Sequence, residues 1–323
     1  MRRLTTALCL ALLVLAAGCG SDSGDGAGAA GEAAPLRLAL DFQPNAVHAG
    51  IYTAVADGLD RRAGVALDVR VPSSSTDSLK LLAGGRSDAA IVDIHDIGLA
   101  AERGADVVGI GALVQRPLAA VIAAPEISRP RELEGRRVGV TGLPSDEAVL
   151  RAAVEADGGD YSRVRTVTIG FAAVPALAAG RVDAVVTFWN AEGVALRREG
   201  VPTRQFRVDD YGAPPYPELV VATTRERLER DPDLYRDLTA ALAAGTRAAL
   251  ADRPAAVAEV AAAADADEGL IADQLAAVAP ALRPPLLLDR DALAAWAAFD
   301  ARFGILAAEP DVDALFDLTL TRD

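Results

Sequence analysis

A short segment recurs at the same step of two successive strand–helix units, and this recurrence constrains the fold more than any other feature. Residues 82–89 (LAGGRSDA) match residues 177–184 (LAAGRVDA), 95 positions later. In each copy a glycine ends a helix, and an Arg-x-Asp segment turns the chain into the next strand. Because the match falls at the same step of both units, it predicts two similar lobes.

Short apolar strands alternate with helical segments through both units. The predicted strands are residues 36–40, 65–71 and 89–92 in the first unit and 136–140, 164–169 and 184–186 in the second. The predicted helices are residues 48–60, 78–83, 145–156 and 174–179. This alternation is typical of the α/β class and predicts in each lobe a mostly parallel sheet flanked by helices.

Two extended apolar segments, residues 117–125 and 216–224, connect the units, so we expect the chain to cross between the lobes twice. Lobe 1 is predicted to comprise residues 36–122 with 220–323, and lobe 2 residues 123–219. Residues 225–323 are rich in alanine, and we expect helices without polar clusters that bury core surface and support a hinge.

The N-terminal segment has the pattern of a processed and anchored leader. A basic start is followed by an uncharged apolar run, residues 4–17, which is shorter than the about 20 residues that span a bilayer. Residues 15–19 (LAAGC) resemble a bacterial lipobox. We therefore expect a signal peptide at residues 1–18, acylation of Cys19 and a flexible tether over residues 19–35. The predicted location is extracytoplasmic, lipid-anchored to the outer face of the cell membrane.

Charge and cysteine content exclude several kinds of function. With 32 basic and 46 acidic side chains, the chain carries a formal charge of −14, which argues against a nucleic-acid partner. The two cysteines are Cys9, in the predicted signal peptide, and Cys19. The folded part therefore offers no disulfide, no thiolate metal ligand and no cysteine nucleophile.

Residues 40–52 (LDFQPNAVHAGIY) resemble the first strand and helix of thiamine-pyrimidine-precursor-type binding proteins, a family of ABC-importer solute-binding lipoproteins. Residues 73–75, 85–89 and 188–192 fit later steps of the same family. The resemblance implies a periplasmic-binding-protein type II fold with two hinge crossings. It also implies a monomer that captures a small flat nitrogen heterocycle, such as a hydroxymethyl- or formylamino-pyrimidine, without a cofactor. The implied partners are an ABC permease and its ATPase.

Ligands of open α/β sheets bind beyond the carboxyl ends of the strands. The candidate ligand-binding residues there are Asp41, Phe42, Asn45, His48, Ser74, Ser75, Asp93, His95, Ser145, Phe171, Trp189, Asn190, Glu192 and Tyr216. We expect Trp189 to stack on a heteroaromatic ring, and Asn190 and Glu192 to pair with its amino group and ring nitrogen. The alternatives are a core role for Trp189 and helix capping by Asn45.

Other functions remain as alternatives at this point. Riboflavin, a sulfonate or another small anion would suit the same fold. Asp93 and His95 suggest a metal site, but with only two histidines in the chain carboxylates would have to complete it, and we predict none. A pyrimidine synthase resembling the same family would need a pyridoxal-phosphate lysine. Lys80, the only lysine, lies outside the 48–52 segment, so we expect no enzyme.

Overall fold

The computed structural model describes residues 33–74 and 77–321; the predicted signal peptide, Cys19 and Ser75 lie outside these residues. The strands are β1 Ala34–Ala39, β2 Val65–Arg70, β3 Ala89–Asp93, β4 Val108–Ala112, β5 Ala119–Ala123, β6 Arg137–Val140, β7 Arg165–Thr168, β8 Ala184–Phe188, β9 Arg204–Arg207 and β10 Leu219–Thr223. The helices are α1 Ala49–Ala56, α2 Leu59–Arg62, α3 Asp77–Ala83, α4 Ile94–Glu102, α5 Pro144–Ala156, α6 Ala173–Ala178, α7 Glu192–Arg198, α8 Arg225–Arg230, α9 Pro232–Ala251, α10 Arg253–Ala264, α11 Glu268–Val278, α12 Arg290–Phe303 and α13 Val312–Leu315.

These strands form two five-stranded sheets with the same plan. The first has the order β2-β1-β3-β10-β4 and the second β7-β6-β8-β5-β9. In each, one strand, β10 or β5, runs antiparallel to both of its neighbours, and the other pairings are parallel. The predicted class, mostly parallel sheets flanked by helices, is confirmed.

The sequence repeat corresponds to the same hydrogen-bond set in both sheets. Asp88 accepts from the backbone amide of Arg37 at 2.9 Å, and Asp183 accepts from that of Arg137 at 2.8 Å. The Arg37 guanidinium donates to the carbonyl of Gly85, which follows α3, and the Arg137 guanidinium donates to that of Gly180, which follows α6. Both glycines, Gly85 and Gly180, have positive φ values, which a side chain disfavours.

The chain passes from the first sheet to the second between β4 and β5, and returns between β9 and β10. The predicted crossing segments 117–125 and 216–224 thus contain the two antiparallel strands. Glu218, which precedes β10, is fully buried, and its Oε2 accepts from the backbone amides of Leu118 and Ala119 at 3.0 and 3.4 Å. One carboxylate therefore ties the two crossings together.

Two local expectations are corrected. The predicted helix 48–60 is instead a short 3₁₀ turn followed by α1 and α2, because Gly58 between them has a φ of 63° and interrupts the helix. The C-terminal helices are not free of polar clusters, since Asp300 and Gln274 are buried and hydrogen-bonded to the rest of the fold. Among the described residues, none of the helices has the length and apolar character needed to span a membrane.

Candidate functional site

The first part of the candidate site follows β1, where Asp41 and His48 form a buried pair. His48 Nε2 lies 2.8 Å from Asp41 Oδ1, and His48 is fully buried. His48 Nδ1 accepts from the backbone amide of Asn45 at 3.3 Å, so the ring proton is on Nε2 and is donated to Asp41. Asn45 Oδ1 in turn accepts from the amide of Val47 at 3.0 Å, which completes a capping box.

Phe42 meets Phe171 from the other sheet. Their ring centroids are 4.4 Å apart with an interplanar angle of 70°, an edge-to-face contact. Phe42 follows β1 in the first sheet, whereas Phe171 follows β7 in the second. Both rings are half-buried, so the pair joins the two sheets while part of each ring stays accessible.

Trp189, after β8, is held mainly by protein contacts. Its indole Nε1 donates to the carbonyl of Pro117 at 3.1 Å, and the Arg207 guanidinium lies 4.1 Å from the ring centroid. The side chain is only 8% exposed. This differs from the expected open stacking face and favours the alternative, in which Trp189 packs in the core at the first crossing.

Asn190 has a different environment from its neighbour. It is fully buried, yet neither its amide nitrogen nor its amide oxygen has a hydrogen-bond partner within residues 33–74 and 77–321. A buried polar group without a partner costs about 1–3 kcal/mol. The Asn190 amide, at the end of β8, therefore keeps donor and acceptor capacity that no described residue uses.

Glu192 begins α7, and its Oε2 accepts from the backbone amide of Phe188 at 3.3 Å. Burial raises the pKa of the Glu192 carboxyl, and the negative charge of Asp41 adds to the rise. The two carboxylates, one from each sheet, thus lie within electrostatic reach. A cationic or amino group between them would be stabilised by both.

His95 and Tyr216 lie in a separate buried cluster beside the crossings. His95 Nδ1 is 2.7 Å from Asp300 Oδ1, its Nε2 is 3.1 Å from the Tyr216 hydroxyl, and all three are fully buried. Burial alone would lower the pKa of His95, but the charge and hydrogen bond of Asp300 outweigh it and raise this pKa to about 10. The geometry gives His95 and Tyr216 a structural role.

The suggested metal site is present as a cluster of side chains. One ligand atom each from Asp93, His95 and Glu218 lies within 4.8 Å of the others. However, protein partners engage both ring nitrogens of His95, Asp300 at Nδ1 and the Tyr216 hydroxyl at Nε2. The cluster therefore fits an ion pair better than a metal ligand set.

A cavity of about 450 Å³ opens beside Asp41 and Asp93. Segments attached to both sheets line this cavity. The lining residues are Asp41, Ser78, Leu79, Lys80, Ala83, Ile91, Val92, Asp93, Asp96, Leu99, Ala100, Arg103, Ala105, Val107, Gly142, Leu143 and Pro144. Next to it, Ser145 Oγ donates to Asp96 Oδ2 at 3.2 Å, and both residues are buried. Ser74 is exposed instead, and its hydroxyl donates to Asp77 Oδ1 at 2.8 Å.

Burial disfavours the charged form of three carboxyl groups in or next to this cavity. Burial raises the pKa of Asp96 to about 7, and the charge of Asp146 adds to the rise. Burial also raises the pKa of Asp146 to about 6, although the hydroxyl and amide of Thr141 donate to it at 2.6 and 2.7 Å. Burial likewise raises the pKa of Asp93 well above its usual range. A cationic group of a ligand beside these carboxyls would favour their charged form.

The residue list from the sequence missed several members of this arrangement. Asp96 and Asp146 are neighbours in sequence of the candidate residues His95 and Ser145. Their positions in the first turn of a helix are the sequence feature that could have identified them. Glu218 lies within the predicted crossing segment 216–224. Asp300 gave no local signal, because it is 205 positions from His95.

Comparison with known proteins identifies the family and the fold. The profile of the family described as NMT1/THI5-like matches residues 45–256. A formylaminopyrimidine-binding protein of Halalkalibacterium halodurans is 36% identical over 214 residues, which are 65% of this chain and 63% of that protein. The chain thus spans less than two thirds of this relative's length.

Solved structures share the fold at low identity. The periplasmic aliphatic sulphonate-binding protein SsuA from Escherichia coli superposes with a TM-score of 0.69 at 18% identity, over 87% of this chain and 97% of SsuA. The desulfurization enzyme DSZB superposes with a TM-score of 0.60 at 16% identity, over 89% and 97%. The periplasmic-binding-protein type II fold is therefore confirmed, and it serves both a binding protein and an enzyme.

Proposed function

The chain belongs to the NMT1/THI5-like family, and from this premise we propose that it is the extracytoplasmic solute-binding component of an ABC importer. Its ligand is a thiamine pyrimidine precursor, a small aminopyrimidine of the hydroxymethyl or formylamino type. The relative named as a formylaminopyrimidine-binding protein supports this choice of ligand. Lobe 1 (36–122 and 220–323) and lobe 2 (123–219) enclose it, and a permease and ATPase receive it.

The observation that carries the choice of ligand is the acidic cleft. Asp41 and Glu192 come from different sheets; burial raises the pKa of Glu192, and the charge of Asp41 adds to the rise. A sulfonate or nitrate in this position would bring a negative charge to a buried site where burial already disfavours the charged form of Glu192. An aminopyrimidine offers an exocyclic amine and a ring nitrogen that can be protonated, and both match carboxylate acceptors.

Asn190 supports the same ligand from the second sheet. Its buried amide has a free donor and a free acceptor. The edge of an aminopyrimidine presents an acceptor ring nitrogen next to a donor amine, which is the complementary arrangement. The exposed parts of Phe42 and Phe171 supply aromatic surface for the ring.

An importer component, rather than an enzyme, is the better reading of these residues. Lys80 is the only lysine, and it is exposed on α3 rather than in the segment around His48. The histidines are each committed to a carboxylate, His48 to Asp41 and His95 to Asp300. Neither is paired with a serine, as a hydrolase would require. The proposal includes a monomer anchored through acylated Cys19, and intact-mass analysis of the native protein tests the anchor.

Glu192→Gln tests the proposed site directly. If the Glu192 carboxylate accepts from the ligand amine, the amide places a donor opposite a donor. Affinity for formylaminopyrimidine should then fall about 5- to 150-fold by titration calorimetry, with little change in melting temperature. Glu199→Gln, an exposed change after the same helix, is the matched control. Equal affinity in both variants would remove Glu192 from the site.

A further inference from the structure

The cavity beside Asp41, here called the α3–α4 cavity, is lined by residues of α3, β3 and α4. Its volume of about 450 Å³ lies within the range of small-molecule sites, about 300–1,000 Å³. Its side walls are aliphatic: Leu79, Ala83, Leu99, Ala100 and Val107. The hydroxyl of Ser78, also in the lining, donates to the Leu40 carbonyl and so offers no proton to a ligand.

The two ends of the α3–α4 cavity have opposite charge. Asp93 and Asp96 stand at the N-terminal end of α4, and Arg103 follows its C-terminal end. Seven residues of helix at 1.5 Å each separate Asp96 from Arg103 by about 10 Å. Asp41 lies at the acidic end and also belongs to the cleft, whereas Arg103 is exposed at the other. Asp41 is therefore shared between the cavity and the proposed ring site.

We propose that the α3–α4 cavity is a second compartment of the binding site, which holds an apolar substituent of the aminopyrimidine ligand. This inference rests on the proposed function. The ring's amine stays at the carboxylates of the cleft, and the substituent runs from Asp41 along Leu79 and Leu99. Aliphatic walls stabilise such a group by removing it from water, in proportion to the area buried.

The second sheet takes part in this compartment. Gly142, Leu143 and Pro144, from the turn between β6 and α5, complete its lining. The neighbouring contact between Ser145 and Asp96 joins the same turn to α4. A substituent in the cavity would therefore touch both halves of the molecule, and its burial would add to the binding energy of the closed form.

Titration calorimetry with two probes tests the compartment. The probes are 4-amino-5-hydroxymethyl-2-methylpyrimidine and the same ring with a 5-butoxymethyl group. The wild-type protein should bind the butoxymethyl probe at least about tenfold more tightly, equivalent to about 1.4 kcal/mol. Ala100→Trp fills the cavity and should reduce this preference to less than twofold without weakening the short probe.

Two further variants keep the test decisive. Ala83→Leu, at an exposed wall position, should reduce the preference partly and leaves the buried core intact. Val55→Trp, exposed on α1 outside the cavity, should leave the preference unchanged. Equal affinity of both probes in the wild type, or an undiminished preference in both cavity variants, overturns the compartment alone. Failure of both probes to bind the wild type overturns the proposed function as well.

Discussion

Glu218 Oε2 accepts a hydrogen bond from the backbone amide of Leu118 at 3.0 Å. A side chain in the segment that returns to the first sheet is thus bonded to the backbone of the segment that leaves it. The same oxygen also accepts from Ala119. Hinge motion in a two-lobed protein takes place in such connecting segments. Glu218 therefore holds the two connections in register at the point about which the lobes would move.

Removing this carboxylate should destabilise the fold. Glu218→Ala leaves two buried amides without an acceptor, and we expect a loss of about 1–3 kcal/mol in the free energy of unfolding. Urea denaturation measures it. Glu229→Ala, at an exposed position on α8, is the control and should change stability by less than about 0.5 kcal/mol. Equal effects in the two variants would show that Glu218 does not tie the crossings.

The His95–Asp300 pair predicts a loss of stability at alkaline pH. The pKa of His95 is raised to about 10 in the folded protein, against about 6.5 for an ordinary histidine. Its contribution is complete below about pH 6.5 and is lost as the pH rises through about 10. The charges of Asp93 and Glu218 act in the same direction as Asp300.

Unfolding curves between pH 6.5 and 10 test this dependence. The wild-type protein should lose stability over the range, and Asp300→Asn should be less stable at pH 6.5 but show a flatter profile. Asp291→Asn, at an exposed position on α12, should keep the wild-type slope. A slope in Asp300→Asn as steep as that of the wild type would contradict the pair's role.

Asn190 should show opposite effects on stability and on binding. Asn190→Leu removes a buried donor and acceptor that have no partner, so the ligand-free protein should melt at the same or a higher temperature. The same change removes the groups proposed to pair with the pyrimidine, so the ligand-induced rise in melting temperature should be lost. A destabilised variant that keeps its ligand response would give Asn190 a structural role.

The two copies of the internal repeat allow the stability contributions of two equivalent aspartates to be compared. Asp88 binds both Arg37 and Arg227, whereas its counterpart Asp183 is joined to Arg137. Asp88→Ala removes the carboxylate shared by two guanidinium groups and should cost more stability, about 2–3 kcal/mol against about 1 kcal/mol for Asp183→Ala. Equal losses in thermal unfolding would show that the Arg227 contact adds nothing.

The sequence predicted the parts of this fold that depend on local pattern. The repeat identified the positions of Asp88 and Asp183, and the alternation of strands and helices predicted the paired sheets. The break at Gly58 was missed, because a glycine inside a helical pattern is often tolerated and only its φ of 63° ends the helix.

The remaining errors concern contacts between distant segments. Trp189 was expected to be open to ligand, but Pro117 and Arg207 hold its ring, and neither is near it in sequence. Asp300 lies in an alanine-rich helix whose pattern gives no reason to pair it with His95. Tertiary packing determines such partners, and the hydrophobic periodicity of a single segment carries no information about it.

The central claim is that the acidic cleft selects an aminopyrimidine, and titration calorimetry of the purified protein tests it most directly. Formylaminopyrimidine, riboflavin and methanesulfonate are titrated separately at neutral pH. We predict saturable binding of the formylaminopyrimidine, accompanied by stabilisation of about 2.7 kcal/mol at 100 times its Kd, and no binding of methanesulfonate. Binding of methanesulfonate or riboflavin without binding of the pyrimidine would contradict the account.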